Sequence, residues 1–175
     1  MDYNLRKKIN NLAEDILENY EISTPIIDMN EVVDRLGGRL QEDHRIDLYS
    51  DGTVVKGEGD CQFEIHIPYS QSDTRKNFTI AHELGHLFLH MGYMINPELW
   101  ERSDHVEFNR KGKSEVELQA NEFAAAFLMP RKEYKTIMDK YSKGNTVNIG
   151  KVAEYFHVSV DAASFRGKWL GYLEW

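Results

Sequence analysis

Two histidines four residues apart, with a glutamate directly after the first, stand in the stretch His82-Glu83-Leu84-Gly85-His86. On an α-helix, positions i and i+4 share one face and lie about 6 Å apart along the axis. Both imidazoles can then converge on one divalent ion, at about 2.0–2.1 Å per nitrogen for zinc. The intervening carboxylate falls beside the open coordination position, where it can take a proton from water. That chemistry is metal-assisted hydrolysis. The competing reading is a surface helix whose His and Glu form a solvated face, so helix, strand and third ligand must each be sought.

The helix is well supported. Ser72 or Asp73 can cap it, and Asp73 complements the positive end of its dipole. Phe78, Ile80, Ala81, Leu84, Leu87, Phe88, Leu89 and Met91 make the segment apolar nearly all round, as in a buried helix. Buried imidazoles and a buried carboxylate are costly unless satisfied, and a metal satisfies them. Gly85 weakens the helix, so a close approach of another backbone is expected there. Before it, Phe63-Glu64-Ile65-His66-Ile67 alternates apolar and polar like a half-buried strand, ended by Pro68. Residues 39–68 read as a small antiparallel sheet with Asp51-Gly52 as a hairpin turn.

A catalytic zinc takes three protein ligands and keeps one position open. A third His at the H-E-x-x-H-x-x-G-x-x-H spacing is ruled out, because Leu89 and Gly92 stand where Gly and His are needed. His90 continues the i+4 series, but three residues at that spacing spread over about 12 Å, too far to share one ion. It reads as a core residue or a support for a ligand. A later helix, 114–130, begins at Ser114 and stops at Pro130. Glu117 and Asn121 share one face of it. Glu117 could bind the metal while Asn121 holds a ligating His. Yet Ser114-x-x-Glu117 is also a capping box, and spacing alone leaves both roles open. Glu115 and Glu122 are competing carboxylates expected to face solvent. Asp104, His105 and Glu107 are less accurately placed rivals in a long stretch.

The block Phe78-Thr79-Ile80-Ala81-His82-Glu83-Leu84-Gly85-His86, with Leu89-His90, resembles the ImmA/IrrE family of zinc metallopeptidases. Glu117-Leu118-Gln119-Ala120-Asn121-Glu122-Phe123-Ala124, running to Leu128-Met129-Pro130, resembles that family's second motif. With Ile65-His66-Ile67-Pro68, the likeness covers most of residues 60–130. It implies His82, His86 and Glu117 as Zn2+ ligands, Glu83 as catalytic acid/base, and a protein substrate that is a helix-turn-helix DNA-binding repressor of a mobile element or stress response. The implied fold is α+β and zincin-like: a small antiparallel sheet, the H-E-x-x-H helix, a gluzincin-type ligand set and a mostly helical C-terminal part. Some relatives carry an added regulatory domain. These 175 residues leave no room for one, so a trigger is expected from outside.

Size and composition fit a core over 1–130 and a helical subdomain over 131–175 packed on it. The net charge of −8 opposes direct nucleic-acid binding and suits a basic protein partner. A lone Cys61 fits a reducing, cytoplasmic setting. Residues 1–20 form a charged amphipathic helix without an apolar run, so neither a signal peptide nor a membrane span is expected. A short helix follows, from about Asp28 to Leu36. Residues 91–113 lack periodicity and read as a lid or as a disordered excursion. The C-terminal helices, 131–141, 147–156 and 160–169, end in a helix-turn-helix-like pair. Arg166 and Lys168 against Asp161 make a weak DNA reader of it. Tyr69, Tyr93, His66, His105 and Arg75 are candidates for stabilising an oxyanion. Two other functions compete with peptide hydrolysis: a non-proteolytic repressor-binding module with a structural or vestigial zinc site, and a small transcription factor.

Overall fold

The structure, a computed structural model, describes residues 1–44, 52–69, 71–103 and 114–175. The chain opens with α1, Tyr3–Asn19, where Asp2 accepts from Leu5 N and Ile9, Ala13, Ile16 and Leu17 turn inward. A second helix, α2, Met29–Arg35, starts at Asp28, whose carboxylate takes the N–H groups of Asn30 and Glu31. Three strands follow: β1, Gly38–Asp43, β2, Thr53–Lys56, and β3, Phe63–Pro68.

Among the described residues the sheet order is β1-β3-β2, so the strand before the zinc-motif helix is central and β2 lies at one edge. β2 pairs antiparallel with β3, Val54 opposite Ile65. β1 pairs parallel with β3, Leu40 opposite Ile65. The expected all-antiparallel sheet is therefore corrected to a mixed one. A period-2 pattern fixes which face of a strand is buried but is blind to strand direction. Phe63, Ile65 and Ile67 are fully buried, as their alternation required. Asp51 of the expected hairpin turn lies outside the described residues.

The central helix is α3, Asp73–Leu89. Ser72 occupies its N-cap position, but its side chain makes no capping hydrogen bond. In the stretch read as aperiodic there is a short helix, α4, Pro97–Arg102, with Asn96 accepting from Leu99 N and proline in the first turn. Asp104, His105, Glu107 and Lys111-Gly112-Lys113 lie outside the described residues, and with them most of the suggested lid.

The rest of the chain is helical: α5, Glu115–Leu128, α6, Arg131–Lys140, α7, Ile149–Tyr155, and α8, Val160–Trp169. A short hairpin not foreseen from sequence, β4, Ser142–Lys143, with β5, Thr146–Val147, joins α6 to α7. One hydrophobic cluster runs from Ile9 through Phe63, Leu84, Phe123 and Tyr134 to Ala163, and α3 and α5 cross at its centre. Among the described residues, no helix is long and apolar enough to cross a membrane.

Candidate metal centre

His82, Glu83 and His86 sit mid-way along α3 and are 5%, 1% and 2% exposed. The i,i+4 spacing brings the two Nε2 atoms to 3.0 Å. α5 crosses at backbone contact: a Cβ on Gly85 would lie 3.0 Å from the Cα and the carbonyl oxygen of Ala120. That contact carries Glu117, three residues earlier on α5, onto the histidine pair. Its Oε2 is 3.2 Å from His82 Nε2 and its Oε1 is 3.4 Å from His86 Nε2. One donor atom from each residue lies within 4.8 Å of the others. Ligands of a tetrahedral zinc at about 2.0–2.1 Å stand about 3.3–3.4 Å from one another, so the donor set fits such an ion.

The capping-box alternative turns out not to exclude the metal. Ser114 Oγ accepts from the backbone N of Glu117 at 3.3 Å, while the Glu117 carboxylate turns to the histidines. Two different parts of one residue serve the cap and the site.

The outer nitrogens fix the tautomers. His82 Nδ1 lies 3.0 Å from Asn121 Oδ1, an oxygen that only accepts, so Nδ1 carries the proton and Nε2 presents a lone pair inward. His90 Nε2 lies 3.2 Å from Gln119 Oε1 and therefore donates to it. His90 Nδ1 is then the acceptor for His86 Nδ1–H, 3.0 Å away, and the inward Nε2 of His86 is also a lone pair. Burial pushes the His90 imidazole below its ordinary range, which keeps it neutral and able to accept. Burial pushes His82 the same way, but the hydrogen bond to Glu117 and the charges of Glu83 and Glu117 outweigh it and raise its pKa. His90 thus holds the ring of His86. Its partner Gln119 was not foreseen, because nothing local links residues 29 apart.

Glu83 faces the sheet edge. A Cβ on Gly52, next to β2, would meet Glu83 Cγ at 3.1 Å and His66 O at 2.7 Å. Of the oxyanion candidates, Tyr93 is committed elsewhere, donating from a buried hydroxyl to Leu36 O at 2.8 Å. His66 Nε2 lies 3.2 Å from Glu64 Oε2, and Tyr69 stacks near His44 with centroids 4.0 Å apart. Arg75 is in the first turn of α3, and His105 is outside the described residues.

One expectation is overturned. Glu122 does not face solvent: it is 7% exposed, accepting from Arg6 Nε at 3.1 Å and Asn10 Nδ2 at 2.7 Å. Arg166 is no DNA reader. It is 2% exposed, donating to Met129 O at 3.0 Å and Asn10 Oδ1 at 2.7 Å, with Glu122 3.5 Å away. Neither charge could be assigned to the interior from sequence, since the two residues are 44 positions apart.

The fold is mixed α+β, and its two crossing helices bring two imidazoles and a carboxylate to one point, a group that could hold a metal ion. The chain belongs to the Peptidase_M78 family, whose IrrE N-terminal-like domain matches residues 42–168. A transcriptional regulator from Mycobacterium tuberculosis shares the fold, with a TM-score of 0.60 at 18% identity over 91% of this chain. This chain spans 46% of that regulator's length. No curated protein matches the sequence.

Proposed function

We propose that the protein is a cytoplasmic zinc endopeptidase that cleaves a helix-turn-helix repressor and so relieves repression of a mobile element or stress response. The observation that carries this reading is the meeting of His82 Nε2, His86 Nε2 and a Glu117 carboxylate oxygen around one point, with Glu83 buried beside it. Two imidazoles and one carboxylate suit zinc better than calcium or magnesium, which prefer all-oxygen sites. When bound, such an ion polarises a scissile carbonyl and makes a nearby water acidic.

The chain's own groups do the rest. Glu83 takes the proton from the attacking water and delivers it to the leaving amine. Asn121 and His90 hold the two rings in the tautomer that turns Nε2 inward. β2 supports recognition: it is a sheet edge, and Gly52 at its start lies against Glu83. An extended substrate segment can pair there by main-chain hydrogen bonds. The repressor substrate rests on the family resemblance, and the net charge of −8 suits a basic, DNA-binding partner.

The test uses the zinc-loaded chain and a repressor encoded beside its gene. Glu83→Gln should keep one zinc per chain by metal analysis and lose cleavage by about 10²–10⁴-fold, the usual contribution of a general base. A wild-type complex that keeps the repressor intact for hours with zinc present, yet frees its DNA, would replace this reading with sequestration.

A further inference from the structure

The outer face of α8 carries exposed apolar side chains. Val160 is 50% exposed, Phe165 55% and Trp169 48%, and Trp175 beyond the helix is 70% exposed. Leu118 of α5 borders the same face: with Ala162, Phe165 and Trp169 it lines a cavity of about 520 Å³. Large apolar groups gathered on one face of a chain mark a contact with another protein. The rings are held in place. Arg6 Cζ lies 3.6 Å from the centroid of Trp169, and Trp175 meets the same ring edge-on at 4.7 Å. Rigid Trp and Arg groups are the usual anchors of a protein interface.

Two opposite charges stand on that face. At about 100° per residue, Asp161, Phe165 and Lys168 fall within an arc of about 60°. Ala163, Arg166 and Gly167, on the other side of the helix, are buried. Asp161 and Lys168 lie about 10 Å apart along the axis, too far to pair with each other. Neither has an ion-pair partner among the described residues. Lys168 Nζ sits over the rings of Phe165 at 5.9 Å and Trp175 at 5.8 Å. A two-fold axis perpendicular to α8, passing between Ser164 and Phe165, sets Asp161 of each copy opposite Lys168 of the other, since the two residues are equally far from it. Such an antiparallel pair keeps equivalent flanks on the same side. Phe165 and Trp169, both on the cavity flank, then meet their counterparts at the mouths of the two cavities.

We propose that the outer face of α8 joins two copies of this chain as an antiparallel dimer, with Asp161 paired to Lys168 across the two-fold axis and Phe165 and Trp169 at its apolar centre. The net charge of −8 on each copy opposes association, so the contact falls where charges of both signs complement one another. The dimer stands apart from the peptidase reading, and its test needs no activity.

Sedimentation equilibrium of the full chain should show a dimer with a micromolar dissociation constant. Phe165→Asp, at an exposed position, should weaken it at least tenfold with an unchanged circular dichroism spectrum. Asp161→Lys and Lys168→Glu should each weaken it at least tenfold, and the two together should return it to within about threefold of the wild type. Net repulsion alone acts otherwise: Asp161→Lys makes the chain less negative and would tighten a dimer held elsewhere. Both exchanges also oppose the dipole of α8, so a cross-link gives a second measurement that leaves the charges in place. In a Cys61→Ser background, Ser164→Cys beside the axis should form a disulfide between copies under mild oxidation. Val160→Cys should not, its counterpart lying about 13 Å away along the helix. A chain still monomeric at about 0.1 mM, where even a weak specific dimer assembles, would overturn the proposal. So would a dimer indifferent to Phe165→Asp, a folded double exchange that restores nothing, or a cross-link through Val160→Cys and not through Ser164→Cys. A monomer whose repressor cleavage falls with Phe165→Asp would overturn it too, giving the face to the substrate.

Discussion

Gly85 of α3 and Ala120 of α5 touch so closely that a single methyl group on Gly85 would stand 3.0 Å from both the Cα and the carbonyl oxygen of Ala120. The same methyl would come within 3.2 Å of Phe123 Cβ. The distance between the two helices is therefore set by a missing side chain, and that distance decides whether Glu117 reaches the histidines.

Gly85→Ala tests this directly. Alanine would favour the isolated helix by about 1 kcal/mol. Overpacking against backbone that cannot yield costs about 1–3 kcal/mol and should win. The melting temperature should fall by several degrees, and zinc affinity should fall with it as Glu117 is pushed away. A variant that melts higher and binds zinc equally well would show that the helices have slack.

Asn121→Ala removes the acceptor that orients His82. Loss of such a support typically lowers metal affinity about 10–100-fold. Competition with a chromophoric chelator gives the measurement. Glu117→Ala, which removes a donor atom, should cost more than Asn121→Ala; the reverse order would mean that Glu117 is not a ligand.

Gly52→Val places a branched side chain where even a Cβ would be 2.7 Å from His66 O and 3.1 Å from Glu83 Cγ. Turnover should drop at least tenfold while zinc content stays stoichiometric, because the displaced group is the proposed base and not a proposed ligand. Loss of zinc together with activity would show that the disturbance reaches the donor set instead.

Tyr134 gives the C-terminal helices an alkaline limit. Its buried hydroxyl donates to Ala163 O at 2.6 Å, and burial raises its pKa to about 12. A group whose folded pKa is raised contributes stability that is complete below its unfolded value, near 10 for tyrosine, and is lost as pH rises through the folded value. Between about pH 10 and 12 the wild type should lose stability faster than Tyr134→Phe in denaturant titrations. Parallel pH profiles would remove Tyr134 as the cause.

Much of the site is local physics. The 3.6-residue period alone puts His82 and His86 on one face, and the apolar wrap of their helix predicts their burial. The period-2 run Phe63 to Ile67 likewise announces a buried strand face. Glu117 was different: its spacing from Ser114 described a helix cap as well as a ligand, and only the crossing of α5 over α3 turns its carboxylate to the histidines while its backbone N–H stays with the cap. Strand direction was equally out of reach, because Leu40 alternates the same way whether β1 runs with β3 or against it. Nor could Glu122 and Arg166 be placed, since each looks like a surface charge until α5 and α8 bring them together in the interior. Sequence determines what each segment can become, because periodicity and capping act over a few residues. Tertiary structure decided which carboxylate meets which imidazole, because that depends on the packing of helices far apart in the chain.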